Sequence, residues 1–231
     1  MSTRIFTDGS ASGNPGPGGW AFLAYLEDRA QVVELGSHVP ATTNNKMELR
    51  AAIEALRLCV KLKVFAQIFV YTDSKYVIQG ITSWIFGWKK RNWIKADGQP
   101  VANREFWEEL DSMIRQHSLD VKWVHVPGHA GVLGNERVDE IAVSFSHQGD
   151  PNLYDGTWED FPDKEIFDNL RDVFKVSSYK KPKYLSLVKG QFYLHDTWED
   201  CHAHVKGSSG AKFKKVKSYE EEQMLRKQWS K

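Results

Sequence analysis

The order of strand-like and helical segments in the first two thirds of the chain most constrains its fold. Residues 3–8, Trp20 to Leu26 and Val32 to Val39 read as three strands with short connections, a pattern typical of an antiparallel meander. Met47 to Leu58 then carries apolar residues at helical spacing, after the capping side chains of Thr42-Thr43-Asn44.

The later segments alternate between the two types. Strands are predicted at Gln67 to Thr72, which is buried, and at Asp120 to Val126. Helices are predicted around Ser74–Gly80, at Asn103–Gln116 and at Gly134 to His147. The order βββαβαβα predicts an α/β fold in which helices flank a mixed five-stranded sheet.

Charge divides the chain into three parts. Residues 1–149 hold 16 basic and 16 acidic side chains, residues 150–174 hold 2 and 8, and residues 175–231 hold 13 and 6. We therefore expect a body over 1–148, an acidic linker over 149–180 that is partly structured at most, and a basic module over 181–231. The module has a ββαβα pattern, and its charge suits a polyanion.

Composition argues against several classes of protein. No apolar run is long enough to cross a membrane, and the N-terminal residues do not resemble a signal peptide. Cys59 and Cys201 are too few for a disulfide framework, which predicts a reducing, cytoplasmic location. Nothing in the sequence requires an oligomer, so we expect a monomer. No feature indicates an obligatory protein partner.

Four acids stand out by their positions. Asp8 and Asp73 end predicted strands, Glu48 lies in the first turns of a helix, and Asp139 lies four residues after Asn135 on one helical face. Each alone is more simply explained as a cap, a turn residue or a solvated charge. If they converge, four like charges require cations, and oxygen ligands suit Mg²⁺ or Mn²⁺. Two such ions roughly 3.5–4 Å apart would activate water and stabilise the leaving oxygen in phosphodiester cleavage.

Four motifs in this body resemble those of bacterial ribonucleases HI, in the order and spacing of that family. The similarity covers residues 1 to about 147. The motifs are Phe6-Thr7-Asp8-Gly9-Ser10 with Gly13 to Gly19, Thr42 to Leu49, Thr72 to Val77, and Val126 to Gly131 with Gly134 to Glu140.

The resemblance implies an endoribonuclease that hydrolyses the RNA strand of RNA–DNA hybrids with two Mg²⁺ ions, or Mn²⁺, and leaves 5′-phosphate products. It makes Asp8, Glu48, Asp73 and Asp139 the metal-binding carboxylates. His129 matches the family's mobile histidine, which moves protons or helps product leave, and its glycine-bounded loop fits that role.

Substrate-binding residues also follow from the resemblance. It places Gly9, Asn14, Asn44 and Asn45 along the RNA side or near the minor groove, and it pairs Thr43 with Asn14 around a DNA-strand phosphate. Asn135 matches a polar residue that supports the metal site. Lys75 stands where the family more often has Gln, so a polar contact to the hybrid becomes ionic here.

Aromatic and basic residues alternate between Trp84 and Lys95, a composition that favours polyanion binding. The stretch resembles the basic protrusion that holds the DNA strand in ribonucleases HI. Lys89, Lys90 and Arg91 are the predicted contacts, whereas each tryptophan is as well explained as a core anchor.

Residues 184–229 resemble the hybrid-binding domain of other ribonucleases H. That likeness assigns Tyr184, Trp198, Phe213, Lys214 and Lys215 to hybrid binding. The module departs from the family in lying at the C-terminal end, and Val216 replaces the usual aromatic residue.

Two other functions remain open at this point. One is a non-catalytic hybrid-binding protein on the same fold, and the other is a related nuclease or integrase. The complete set of carboxylates argues against the first, and the asparagines at 44–45 with the basic stretch argue against the second.

Overall fold

A computed structural model describes residues 2–64, 66–168, 182–217 and 219–229. The chain forms two compact units, Met1–Phe167 and Asp168–Lys231. No helix within these described ranges has the length and apolar character needed to span a membrane.

The first unit is built on a six-stranded mixed sheet in the order β5-β4-β1-β2-β3-β6. Strands β1, β2 and β3 form the predicted antiparallel meander, and β4 and β5 run parallel to β1. Their bounds are β1 Ser2–Ala11, β2 Gly16–Leu26, β3 Gln31–Thr42, β4 Gln67–Thr72, β5 Val121–His125 and β6 Asp155–Thr157. The predicted fold class is confirmed.

Helices cover both faces of this sheet. They are α1 Asn44–Lys61, α2 Lys75–Gln79, α3 Ile85–Lys90, α4 Arg104–Gln116, α5 Leu133–Ser146 and α6 Glu165–Asp168. The main core lies on the face covered by α1 and α4, where Phe22, Leu56 and Trp107 are fully buried. The opposite face carries Phe6 stacked on Tyr71, and α5 packs there.

The helix predicted around Ser74–Gly80 is longer than its sequence pattern indicated. Ser74 caps α2 by accepting a hydrogen bond from the backbone N–H of Val77, and a π-helical turn at Gly80–Trp84 continues into α3. A side chain at Gly80 would collide with the ring of Trp107, because a Cβ atom there would lie 2.1 Å from that ring. The sequence predicts a helix end at Gly80, but in the structure this glycine allows the helix to pack closely against Trp107.

The sheet has one strand more than predicted. Strand β6 pairs antiparallel with residues 31–33 of β3. It lies in the segment predicted as a linker, and the first unit extends to Phe167 rather than ending at 148. Residues 169–180 of the predicted linker lie outside the described residues.

Aromatic residues explain why residues 150–167 belong to the first unit. Trp158 stacks on Tyr25 with ring centroids 4.3 Å apart, and Phe161 and Phe167 are buried. Phe167 also contacts the ring of Phe6 on the α5 face of the sheet. The acids between residues 150 and 165 face solvent, while the aromatic residues pack on the sheet, so the acidic composition did not indicate a packed segment.

The second unit contains a three-stranded antiparallel sheet in the order β8-β7-β9. Its elements are β7 Lys183–Val188, β8 Gln191–His195, α7 Trp198–Val205, β9 Lys212–Val216 and α8 Tyr219–Trp229. Val188 packs with Cys201 and Val205 of α7, whereas Leu185 packs with Val216 and with Leu225 of α8. The predicted ββαβα order is therefore present, with one helix on each face.

Candidate active site

Two strand ends bring the first pair of acids together. The parallel register of β1 and β4 pairs Phe6 with Tyr71, so Asp8 and Asp73 lie two residues further along neighbouring strands, on one face. The Asp8 Oδ1 atom accepts a hydrogen bond of 2.7 Å from the N–H of Gly9. Strand β1 thus fixes the backbone of Asp8, and the end of β4 positions Asp73 beside it.

Helix α1 delivers the third acid because β1 approaches it closely. A Cβ atom at Gly9 would lie 2.2 Å from the backbone nitrogen of Glu48, so no other residue allows this contact without a shift. Glu48 is buried, and its Oε1 atom accepts a 3.4 Å hydrogen bond from Nδ2 of Asn44. One oxygen atom each from Asp8, Glu48 and Asp73 lies within 4.8 Å of the others.

Helix α5 contributes Asp139 and Asn135. Asp139 is close enough for its charge to act on Asp8, although it is not one of the three acids that meet within 4.8 Å. Nδ2 of Asn135 donates to Oδ2 of Asp73 over 3.1 Å. The Nδ1 atom of His129 lies 3.9 Å from Oδ2 of Asp139. His129 is strongly exposed and adopts a left-handed backbone with φ of 51°.

Burial, and after it the crowding of negative charge, raises the pKa of two of these carboxyls. Burial raises the pKa of Asp8 well above its usual range, the charges of Asp73 and Asp139 add to the effect, and the Gly9 N–H opposes it. Burial likewise raises the pKa of Glu48, followed by the charges of Asp8 and Asp73. Without a cation the site disfavours its own ionised form.

Gly128 is a residue of the site that sequence reasoning missed. A Cβ atom there would lie 2.6 Å from Oδ2 of Asp73, the oxygen that Asn135 also contacts. The sequence shows the glycine beside His129, but a contact between backbone and a distant carboxylate has no local signal.

The predicted substrate residues differ in their exposure. Gly9 is buried, whereas Asn14, Asn44, Asn45 and Lys75 are exposed. Thr43 occupies the N-cap of α1, but its side chain makes no capping hydrogen bond, contrary to the capping role expected for this segment.

The basic stretch separates into core and surface residues. Trp93 is buried and Trp88 packs against Trp107, whereas Trp84 is exposed. Nζ of Lys89 forms a 2.8 Å ion pair with Asp111 of α4, so part of its charge is neutralised by the protein. Lys90 and Arg91 are both exposed.

In the second unit, aromatic and basic side chains share the α7 face of the sheet. Trp198 is 38% exposed and Phe213 is 48% exposed, with ring centroids 5.4 Å apart. Tyr184 contacts the ring of Trp198, and Nζ of Lys215 lies 5.9 Å from the Tyr184 ring centroid.

Lys214 is not brought into this aromatic surface. It pairs with Leu185 in the register of β7 and β9, and Leu185 packs toward α8. Because side chains alternate along a strand, Lys214 starts from the face opposite Phe213 and Lys215.

These features together define an acidic, oxygen-only site on an α/β sheet, of the kind that holds divalent cations for phosphodiester chemistry. The family model described as RNase H matches residues 1–147, and the model described as the ribonuclease H1 N-terminal domain matches residues 194–223.

Two curated relatives cover most of the first unit. Ribonuclease H of Thermosynechococcus vestitus is 52% identical over 147 residues, which span 64% of this chain and 89% of the relative. Ribonuclease H of a Cyanothece species is 46% identical over 151 residues, or 65% and 93% of the two chains.

Two solved structures of ribonucleases H are also similar to this chain. LC9-RNase H1, described as a type 1 RNase H with the type 2 active-site motif, has 30% identity and a TM-score of 0.58 over 68% of this chain and 79% of its own. LC11-RNase H1, solved in complex with an RNA/DNA hybrid, has 25% identity and a TM-score of 0.50 over 63% and 97%.

The chain therefore belongs to the ribonuclease H family. It is an endonuclease that acts on RNA–DNA hybrids and cleaves their RNA strand. The family is metal-dependent, and the acidic cluster of Asp8, Glu48 and Asp73 is consistent with that dependence.

Proposed function

We propose that this enzyme hydrolyses the RNA strand with two Mg²⁺ ions held by Asp8, Glu48, Asp73 and Asp139, leaving 5′-phosphate ends. The observation that carries the proposal is the convergence of three carboxylate oxygens, from Asp8, Glu48 and Asp73, within 4.8 Å, with the charge of Asp139 close enough to act on Asp8. Mn²⁺ is the alternative ion because its oxygen preference is similar.

The residues present fit such ions. Oε2 of Glu48 is buried and has no hydrogen-bond partner among the described residues, which is costly unless a cation satisfies it. All the converging donors are carboxylate oxygens, the ligands that Mg²⁺ prefers. When bound, the ions supply an activated water and stabilise the charge that develops on the leaving oxygen.

The protein's own groups orient the reactants and move protons. Asn135 fixes the Asp73 carboxylate through its 3.1 Å hydrogen bond. His129 stands at the exposed rim beside Asp139, where an imidazole can exchange protons between the site and solvent.

Exposed amides around the site suit an RNA strand. The side chains of Asn14, Asn44 and Asn45 offer paired donors and acceptors for 2′-hydroxyl groups and base edges in a minor groove. Gly9, Thr43 and Lys75 complete the proposed contacts close to the acids. LC11-RNase H1, which is similar in fold, was solved in complex with an RNA/DNA hybrid, and this supports a hybrid as the ligand.

The DNA strand is assigned to the basic stretch. Lys90 and Arg91 are its best placed cations, because Lys89 is shared with Asp111. Phosphate contacts of this kind add affinity without sequence preference.

The α7 face of the second unit is proposed as a further hybrid-binding surface. Exposed Trp198 and Phe213 provide stacking area, and Tyr184 and Lys215 lie beside them. Lys214 contributes only if its side chain passes around the edge strand β9 to reach a phosphate.

We also propose a monomer that works in the reducing cytoplasm. Both cysteines, Cys59 and Cys201, are free and buried, and burial raises the pKa of each thiol. Neither is therefore suited to disulfide exchange.

The first experiment compares cleavage of a labelled RNA–DNA hybrid with that of the same RNA in a double-stranded RNA, in Mg²⁺ and in Mn²⁺. Asp8→Asn serves as the inactive variant. Cleavage of the hybrid alone, lost in the variant and producing 5′-phosphate ends, is expected. Tight hybrid binding without cleavage in either metal would instead show a non-catalytic binding protein.

A further inference from the structure

An ion pair between Arg137 and the buried carboxylate of Glu34 joins α5 to the sheet and to the segment that follows α5. Nε of Arg137 donates a 2.7 Å hydrogen bond to Oε1 of Glu34, and Nη2 donates one of 2.7 Å to Oε2. The Glu34 side chain is only 2% exposed and that of Arg137 is 29% exposed, so the carboxylate end of this forked contact is sheltered from water.

The same pair holds residues 152–154. Nη2 of Arg137 also donates to the carbonyl oxygen of Asn152 over 2.8 Å, and the N–H of Tyr154 donates to Oε2 of Glu34 over 3.0 Å. The backbone N–H of Glu34 in turn donates to the carbonyl oxygen of Tyr154. Sheet, helix and following segment therefore meet at one carboxylate.

Arg137 lies between the two residues through which α5 serves the active site. Asn135 and Asp139 share one face of the helix, and Arg137 projects from another side. Because α5 is a regular helix, a rotation or slide that releases Arg137 must also move Asn135 and Asp139. The helix lies close on the sheet, since a Cβ atom at Gly19 would lie 2.2 Å from the carbonyl oxygen of Ala142.

We propose that Arg137 is a positioning residue, which acts through Glu34 and residues 152–154 to hold Asp139 and Asn135 against Asp8 and Asp73. The segment after residue 147, which the RNase H family model does not cover, thereby takes part in building the metal site. This inference rests on the proposed function, because it takes Asp139 to be a metal ligand.

The test measures Mn²⁺ binding to the full chain by the electron paramagnetic resonance signal of free Mn²⁺, without substrate. Arg137→Met is expected to raise the Mn²⁺ Kd by roughly tenfold, at the lower end of losses seen when supporting residues of a metal site are removed. Arg137→Lys keeps the charge but not the fork, and it is expected to give an intermediate Kd.

Arg57→Met is the matched control. Arg57 forms ion pairs with Glu54 and Glu109 between α1 and α4, away from the acids. Its loss also removes charged contacts between two elements of the first unit, but Arg57 is more exposed than Arg137, so the free energy of unfolding of both variants is measured beside the Kd. The control is expected to leave the Mn²⁺ Kd unchanged.

Asp139→Asn separates the inference from the proposed function. If Asp139→Asn weakens Mn²⁺ binding and Arg137→Met does not, the positioning role is overturned while the metal site stands. If Asp139→Asn itself leaves the Kd unchanged, the ligand role of Asp139 fails first. In the supported case, the double variant binds Mn²⁺ no more weakly than Asp139→Asn, because Arg137 acts through that carboxylate. Should Arg137→Met not fold at the assay temperature, the same comparison with Arg137→Lys decides.

Discussion

At the scale of single residues, Gly128 constrains the position of the Asp73 carboxylate without having a side chain. An added methyl group would lie 2.6 Å from Oδ2 of Asp73 and push it away from Asn135. We expect Gly128→Ala to lower kcat by about 10²-fold, as a displacement near 1 Å can do. Steady-state cleavage of the hybrid at saturating Mg²⁺ measures this change.

Gly98→Ala is the control for that substitution. Gly98 has φ of +81° with open space around it, so a methyl group there strains the backbone but meets no neighbour. It is expected to cost about 1 kcal/mol of stability and to leave kcat unchanged. Equal kcat values for Gly128→Ala and the natural protein would refute the role of the close contact.

The raised pKa values of Asp8 and Glu48 make the stability of the metal-free protein depend on pH. The folded protein retains carboxyl protons that the unfolded chain has released, so the free energy of unfolding falls as pH rises from about 4 toward the raised values. Asp8→Asn cannot acquire the charge. Its Tm without metal is therefore expected to exceed that of the natural protein at neutral pH.

Thermal unfolding in a chelator across pH tests this expectation. The difference in Tm is expected to shrink as the pH approaches about 4, where the carboxyls are largely protonated in both states. Mg²⁺ is expected to raise the Tm of the natural protein more than that of Asp8→Asn. A variant with lower Tm at every pH would show that the acids do not repel each other as described.

Positions along the chain singled out the four acids, but the resemblance to ribonucleases HI was needed to assign them and their support Asn135 to a metal site. Asp8 and Asp73 could be placed because parallel neighbours end at one edge of a sheet. Gly128 and Arg137 act through tertiary contacts with residues tens of positions away, and no local pattern reports such contacts.

At the scale of elements, the segment after α5 belongs to the first unit. Phe167 is 1% exposed and packs against Phe6 and Tyr25. Phe167→Ala is expected to cost about 3–5 kcal/mol in the free energy of unfolding, because a buried ring leaves a cavity. Denaturant unfolding of the full chain measures the loss.

Glu159→Ala is the matched control within the same segment. Glu159 is exposed, so its truncation is expected to change stability by no more than about 0.5 kcal/mol. If Phe167→Ala were equally neutral, the segment would behave as the linker that its acidic composition first suggested.

Element types were predictable where periodicity ran long, as in the meander and in α4. Strand β6 has only three residues and gains its identity from pairing with β3, so its own sequence gives no strand signal. The face of Lys214 could have been read from strand alternation, since Phe213 and Lys215 flank it. The assignment of both Lys214 and Lys215 to one surface followed the family resemblance, whereas strand alternation puts these neighbours on opposite faces.

At the scale of the whole molecule, two proposed binding surfaces on one chain predict a dependence on hybrid length. A hybrid long enough to meet both units gains effective concentration, whereas a short one that fills only the first unit does not. Combined Trp198→Ala and Phe213→Ala is therefore expected to raise KM for the long hybrid, toward the lower end of the roughly 10²–10⁴-fold range of avidity effects. KM for the short hybrid and kcat for both are expected to stay unchanged.

Leu194→Ala controls for the loss of an exposed apolar side chain in the same unit, since Leu194 is paired with Leu185 and shares its face. Lys215→Ala tests the electrostatic part of binding. Losing one phosphate contact is expected to reduce the slope of log K against log salt concentration for the long hybrid by about one. Lys212→Ala, on the opposite face of the sheet, is expected to leave that slope unchanged. An equal rise in KM for both hybrid lengths would place the effect in the first unit. An unchanged KM for both would remove the second unit from hybrid binding, because the catalytic surface alone would then account for affinity.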